Sequence, residues 1–305
     1  MVRHDSLTTH NTWITQWGRD GFEMRPVRRL TFEVSTLRNS WGSTNRADDA
    51  VDEQYDSPMK VTVLGTSSPY PRPGNPCSSF LLDSGRSRIW IDAGSGSLAA
   101  LLAVLRIEDL DAIWISHTHA DHFTDLAVTF YALKYGDVVR PPLPVFGPAG
   151  WEERLRAFVS HSSRSSIEDV FVVNHLRDGG NETVGDIMLT AHEMNHDTPC
   201  FGLRAVCAGR IVSFTGDTGL GVGLDRIATC ADLLICEAGY GVDQGESATV
   251  HLTAAQAGSV AKTADVGHLL LTHLAGADVD DCVAAARAKG AGRVSGARPG
   301  MIITT

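Results

Sequence analysis

Seven residues, Ser116 to His122, read Ser-His-Thr-His-Ala-Asp-His and put four metal-capable side chains, His117, His119, Asp121 and His122, within six positions. Neutral imidazoles and carboxylates at this density are costly to hold together without a cation. Later in the chain His196, Asp217 and His273 recur at the ends of apolar runs. They complete a donor set for two ions. His117, His119 and His196 would hold the first, Asp121, His122 and His273 the second, and Asp217 would bridge both. Two cations about 3.5–4 Å apart hold a hydroxide at neutral pH and clamp the oxygens of a substrate. The donor types suit two divalent metal ions, Zn²⁺ best, with Mn²⁺ or Fe²⁺ as alternatives.

Positioning such donors requires strands that end at one edge of a layered fold. Ala112-Ile113-Trp114-Ile115 is an apolar, β-branched and aromatic run, read as a buried strand, and Asp125 to Leu133 has apolar residues at helical spacing. The histidine cluster is therefore the loop between a strand and a helix. Further strands are predicted at 61–64, 79–82, 89–91, 143–146, 170–173, 187–191, 201–205, 210–214, 233–236, 268–272 and 301–304. Helices are predicted at 98–105, 151–159, 253–262, capped by Thr253, and 279–289. Asp178 to Glu182 reads as a polar turn. In the 151–159 helix Trp151, Leu155, Phe158 and Val159 share a face, so Trp151 and Phe158 are expected in the core rather than as a base-stacking platform. Two blocks of strands, each with helices, predict two mixed sheets packed face to face with helices outside, an α+β four-layer αββα sandwich.

Residues 1–58 differ. Thr36 to Ser57 is polar and aperiodic, read as a mobile N-terminal extension, with one short strand expected over Arg25–Val34. Met59 reads as the start of the folded domain, 59–305, the preceding residues being either a functional arm or a mis-assigned start. The net charge of −10 and the scarcity of lysine remove the simplest electrostatic argument for nucleic-acid binding. No apolar run is long enough to span a bilayer, and the N-terminus lacks a signal pattern, so a cytoplasmic protein without membrane partners is expected. The six scattered cysteines, without a C-x-x-C, then read as reduced thiols.

These residues resemble the metallo-β-lactamase superfamily over about residues 60 to 305, through the H-x-H-x-D-H motif at 117–122 and the order of His196, Asp217 and His273. Within it the chain is similar to the ribonuclease Z-like group of phosphodiesterases. Three stretches carry that likeness: Leu64-Gly65-Thr66-Ser67-Ser68 with Pro71, Asn75 and Ser78-Ser79; Glu237-Ala238; and His251-Leu252-Thr253 with the following helix start. The resemblance implies a dinuclear hydrolase in which Asp121 belongs to the catalytic centre, His251 stabilises or protonates the leaving group and Glu237 orients it. It also raises a homodimer.

The tRNA-processing members carry a basic residue where this chain has Gly74, and a Gly/Pro-rich basic arm that residues 147 to 191 do not show. A small-molecule phosphodiester such as a cyclic nucleotide is therefore expected as substrate. The alternatives are tRNA 3′ processing with RNA as partner, lactone or thioester hydrolysis on the same metals, and a non-catalytic metal-binding scaffold. Asp92 is expected to support the histidine loop. Ser67 and Ser68 would line the pocket or cap a turn, and Phe123, Tyr131 and Tyr240 are candidates to touch substrate. His161, His175, His192 and His268 lack motif context and are read as structural or exposed; His4 and His10 are assigned nothing.

Overall fold

The computed structural model describes residues 13–18, 21–26, 58–159, 166–242 and 249–305. The chain divides into two units, Met1–Val51 and Asp52–Thr305. In the first, β1 (Trp13–Gly18) and β2 (Gly21–Pro26) form an antiparallel hairpin with Trp13 opposite Pro26 and Gly18 opposite Gly21. The strand expected over Arg25–Val34 meets β2 only at Arg25 and Pro26. Its remaining residues, the polar stretch Thr36–Ser57, His4, His10 and His161 lie outside the described residues.

The second unit is built from strands whose side chains are buried on both faces. In β3 (Lys60–Gly65), β4 (Ser79–Asp83), β5 (Arg88–Ile91) and β6 (Ala112–Trp114), Val61, Val63, Phe80, Leu82, Ile89, Ile91 and Trp114 face one core. The intervening Leu64, Leu81, Trp90 and Ile113 face another. The period of two sends alternate residues to opposite faces, and both must be covered. With β7 (Leu143–Gly147), β8 (Phe171–His175) and β16 (Ile302–Thr304), these strands form a seven-stranded sheet in the order β16-β3-β4-β5-β6-β7-β8. The second sheet holds β9 (Asn181–Val184), β10 (Ile187–Glu193), β11 (Phe201–Cys207), β12 (Arg210–Phe214), β13 (Leu233–Glu237), β14 (His268–Thr272) and β15 (Arg293–Gly296). Its order is β15-β14-β13-β12-β11-β10-β9. Both sheets are mixed: β5 through β8 and β12 through β15 run parallel, and their other pairs antiparallel.

The sheets bury their facing sides against each other in one core that includes Phe80, Trp114, Leu203, Phe214 and Ile235. Outside the first sheet lie α1 (Ser97–Leu102), α3 (Asp125–Tyr135) and α4 (Trp151–Val159). Outside the second lie α5 (Val222–Ala228), α6 (Ala254–Thr263) and α7 (Val279–Ala288). The four-layer αββα sandwich is therefore present. Helix α1 stops at Leu102 rather than Leu105, and α5 and β15 escaped the sequence reading because each is short and flanked by glycines. The expected polar turn at 178–182 ends early: Asn181 and Glu182 already belong to β9, an edge strand whose outer face is exposed.

Helix α4 departs from its helical wheel. Its buried stripe is Trp151, Glu152, Leu155 and Val159, while Phe158 is 65% exposed. The Glu152 carboxylate is drawn inward and held at 2.7 Å by His175 Nε2 on β8. The stripe is thereby displaced to the Glu152 side and Phe158 turns to the margin. The placing of Phe158 in the core is corrected on this point; Trp151 is fully buried as expected. Among the described residues no helix is long and apolar enough to cross a membrane. All six cysteines are unpaired thiols.

Candidate metal centre

The C-terminal ends of parallel strands from both sheets converge on one point. After β6 the chain passes through Ser116 and His117 into the four-residue helix α2 (Ala120–Phe123). The Phe201 amide at the start of β11 donates to the Ser116 carbonyl at 2.9 Å, which ties this loop to the opposite sheet. His196 follows β10, Asp217 follows β12, Glu237 ends β13 and His273 follows β14. Gly94 and Gly216 permit the close approach. A Cβ on Gly94 would collide with the Asp121 carbonyl oxygen, and one on Gly216, whose φ is +60°, would come within 2.8 Å of the Ser116 side chain. His273 itself has a positive φ of 57°, a strained conformation of the kind that concentrates at functional sites.

The donor atoms fall into three groups, of which the third, Asp217, His251 and His273, shares a residue with each of the other two. His117, His119, His196 and Asp217 form one, and Asp121, His122 and His273 another, with ligand atoms in each group within 4.8 Å of one another. In the first, His117 Nε2 lies 3.1 Å from His119 Nδ1, His196 Nε2 lies 3.3 Å from His119 Nδ1, and Asp217 Oδ2 lies 3.7 Å from His117 Nε2. In the second, His273 Nε2 is 3.3 Å from Asp121 Oδ2 and 3.3 Å from Asp217 Oδ2, and His122 Nε2 is 3.8 Å from Asp121 Oδ2. Bonds of roughly 2.0–2.2 Å at tetrahedral angles put donor atoms about 3.3 Å apart, so these spacings fit divalent ions. His122 Nε2 and Asp217 Oδ1 face one another at 3.2 Å without hydrogen-bond geometry, and both are buried and otherwise unpartnered. A cation there satisfies both. Asp217 thus faces both groups.

The electrostatics agree. Burial, reinforced by His122 and the other neighbouring imidazoles, holds His117 well below the usual histidine value, so it is neutral, the form that ligates. Burial, then His196, also lowers His119. Burial opposes ionisation of Asp217, but His122, His273 and His117 outweigh it and hold its carboxyl well below the ordinary range. Asp121 shows the same balance, with His273 and His122 prevailing over burial. His122 is the exception: burial pulls it down, yet Asp217 and Asp92 hold it well above the ordinary histidine value.

Other groups fix the donors in place. Asp92, fully buried, accepts from the Ser116 amide at 2.7 Å and the Ser116 hydroxyl at 2.8 Å, and meets His122 Nδ1 at 2.6 Å. With its Nδ1–H given to Asp92, His122 presents Nε2 to the cluster. His196 Nδ1 donates to the Val250 carbonyl at 3.0 Å, which leaves Nε2 for the centre. Ser116 and Val250 escaped the sequence reading, the latter because a backbone acceptor has no sequence signature. Asp197 also escaped it; its Oδ1 lies 3.2 Å from His196 Nε2, and adjacency to His196 was its one available signal.

His251 and Glu237 stand beside the cluster. His251 Nδ1 is 2.8 Å from Glu237 Oε1 and 4.0 Å from Asp217 Oδ2. Glu237 is itself clamped by the amides of Thr218, at 2.8 Å to Oε1, and Gly239, at 2.6 Å to Oε2. Burial opposes the charge on His251, but the bond to Glu237 prevails and its pKa is raised. Tyr240 packs edge-on against His251 at 5.3 Å between ring centroids. Ser67 and Ser68 line a cavity of about 110 Å³ next to Thr272. A larger one, about 480 Å³, opens beside His119, with Phe123 and Phe158 in its wall. Tyr131 instead bonds the Val159 carbonyl at 3.1 Å. His175 pairs with Glu152, His192 lies 3.4 Å from Asp178, and His268 bonds Ser295, so these three hold structure outside the cluster.

Residues 87–274 match the family described as the beta-lactamase superfamily domain. Over 219 residues the chain is 29% identical to a probable metallo-hydrolase, YhfI, of Bacillus subtilis, covering 71% of this chain and 87% of that protein. The crystal structure of YhfI superposes with a TM-score of 0.73 at 27% identity, covering 82% of this chain and all of that one. A ribonuclease Z of Mycolicibacterium gilvum is 29% identical over 240 residues, 70% of this chain and 84% of that protein. The short form of human tRNase Z superposes with a TM-score of 0.67 at 25% identity, covering 80% of this chain and 98% of that one. The superfamily implies divalent metal ions, and the buried His/Asp cluster at the strand ends is where this chain can hold them. By sandwich, cluster and relatives alike, the chain belongs to the metallo-β-lactamase superfamily, in its ribonuclease Z-like group, and is a metal-dependent hydrolase.

Proposed function

We propose that the protein hydrolyses small phosphodiesters, a cyclic nucleotide being the type of substrate, on two zinc ions. His117, His119 and His196 would hold one ion and Asp121, His122 and His273 the other, with Asp217 placed between the two sets. Bound there, the ions supply an activated water and neutralise charge on phosphoryl oxygens. His251, whose pKa is raised by its bond to Glu237, gives a proton to the departing oxygen, while Glu237, fixed by two backbone amides, keeps the ring aimed. Asp92 fixes the tautomer of His122. The carrying observation is the His251–Glu237 pair at 2.8 Å against the donor cluster, since lactone or thioester hydrolysis calls for no such acid.

A second reading, tRNA 3′ processing, is favoured by the similarity to human tRNase Z. The net charge of −10 weighs against it, because phosphate contacts supply most of the affinity for nucleic acid. A panel on metal-analysed protein separates the readings: bis(p-nitrophenyl) phosphate, cyclic AMP, a lactone, a glutathione thioester and precursor tRNA. Turnover of the first two alone is expected. Steeply salt-dependent tRNA binding with cleavage would replace the first reading by the second, and absence of hydrolysis throughout would leave a metal-binding scaffold.

A further inference from the structure

The cavity of about 480 Å³ beside His119 is not accounted for by the metal cluster or the acid. Its size lies within the roughly 300–1,000 Å³ of small-molecule sites. Its wall joins two segments, the loop and helix that carry the first histidines and the outer face of α4. Thr118 and Phe123 come from the first, with Ala127 of the following α3, and Arg154, Ala157 and Phe158 from the second. Arg154 Nη1 donates to the Thr118 carbonyl at 3.4 Å, so a guanidinium spans the two sides. Phe158 is 65% exposed, whereas every other phenylalanine whose side chain is described sits in a core, and it is exposed because Glu152 pulls the buried stripe of α4 away from it.

We propose that this cavity is a nucleobase subsite, in which Phe158 and Phe123 provide the stacking walls and Arg154 with Thr118 the polar edge. The inference rests on the phosphodiesterase reading for its placement of the phosphate, at the donor cluster that His119 shares with the cavity wall. A flat heterocycle carrying hydrogen-bond acceptors uses every part of this wall. An acyl chain leaves the guanidinium and the hydroxyl unused. Phe158 and Arg154 are thus specificity-determining residues for the organic half of the substrate.

The test has two arms, each on the full chain. In the first, adenosine 5′-monophosphate is titrated calorimetrically into the zinc-loaded parent protein and into zinc-loaded Phe158→Ala and Ala157→Trp, two changes at exposed positions, one removing a stacking wall and one filling the cavity. Both variants are expected to weaken binding about tenfold. Absence of binding to the parent protein, or equal affinity in all three, overturns the subsite. In the second arm the zinc-loaded proteins are assayed with cyclic AMP and with the cyclic phosphate of ribose lacking a base. The ratio of kcat/KM for the two substrates is expected to fall about tenfold in both variants, and an unchanged ratio overturns the subsite. Binding through Phe158 with no hydrolysis of either phosphate by the parent keeps the subsite and defeats the phosphodiesterase reading. Tighter binding of a dinucleotide than of the mononucleotide would assign the base to an RNA end.

Discussion

At the scale of single residues, the centre is a set of side chains that are useful only together. Asp217 faces both donor groups, so Asp217→Ala should remove the second ion and at least one hundredfold of turnover, read as metal per chain alongside rate. Retention of two ions per chain would refute its bridging position. Asp92→Asn should do less, because Asp92 only orients His122; a 10–100-fold loss of metal affinity or activity is expected. His251→Ala should keep both ions and lower kcat by roughly 10²–10⁴. That split between metal content and rate distinguishes a proton donor from a ligand, and His251 needs the distinction because it lies 4.0 Å from Asp217.

At the scale of elements, strand ends place the donors and caps hold the strand ends. Helix α6 starts directly after His251 and Leu252, with Thr253 and Gln256 forming a reciprocal capping box. Thr253→Ala should cost about 1 kcal/mol, or roughly 2–4 °C in Tm for a domain of this size. On β14, His268 is buried against Ser295 of β15, and burial, with the Arg293 cation, lowers its pKa to about 4. It is therefore neutral in the fold, whereas in the unfolded chain it takes up a proton below about pH 6.5. Protonation favours the unfolded state. Its contribution is fully present above pH 6.5 and is lost as the pH falls toward 4, on the order of 2–3 kcal/mol. Denaturant unfolding of the parent and of His268→Gln across that window should show a shallower decline in the variant, and parallel curves would contradict the assignment.

At the scale of the whole molecule, the metal centre joins two sheets that otherwise meet through an apolar core. Ions bound only by the folded state stabilise it by mass action. Chelation should lower Tm by several degrees, and zinc should restore it. An unchanged Tm on chelation would mean that the cluster forms without contributing to the joint between the sheets.

The sequence by itself determined the chemistry of the centre and the alternation of its strands. Four donors within six residues, and strands apolar on both faces, are local facts that period and spacing expose. What packing decides was legible only in part. Phe158 has a core position on its helix, but a hydrogen bond from His175, on another element, to Glu152 turns it outward. Ser116 and the Val250 carbonyl meet His117 and His196 through contacts that no residue type announces. The donors themselves lie up to 156 positions apart, from His117 to His273, and only the face-to-face packing of two sheets brings their strand ends to one point. Side-chain chemistry and periodicity are written along the chain, whereas the direction in which a side chain finally points is set by whichever neighbour satisfies the buried polar groups around it.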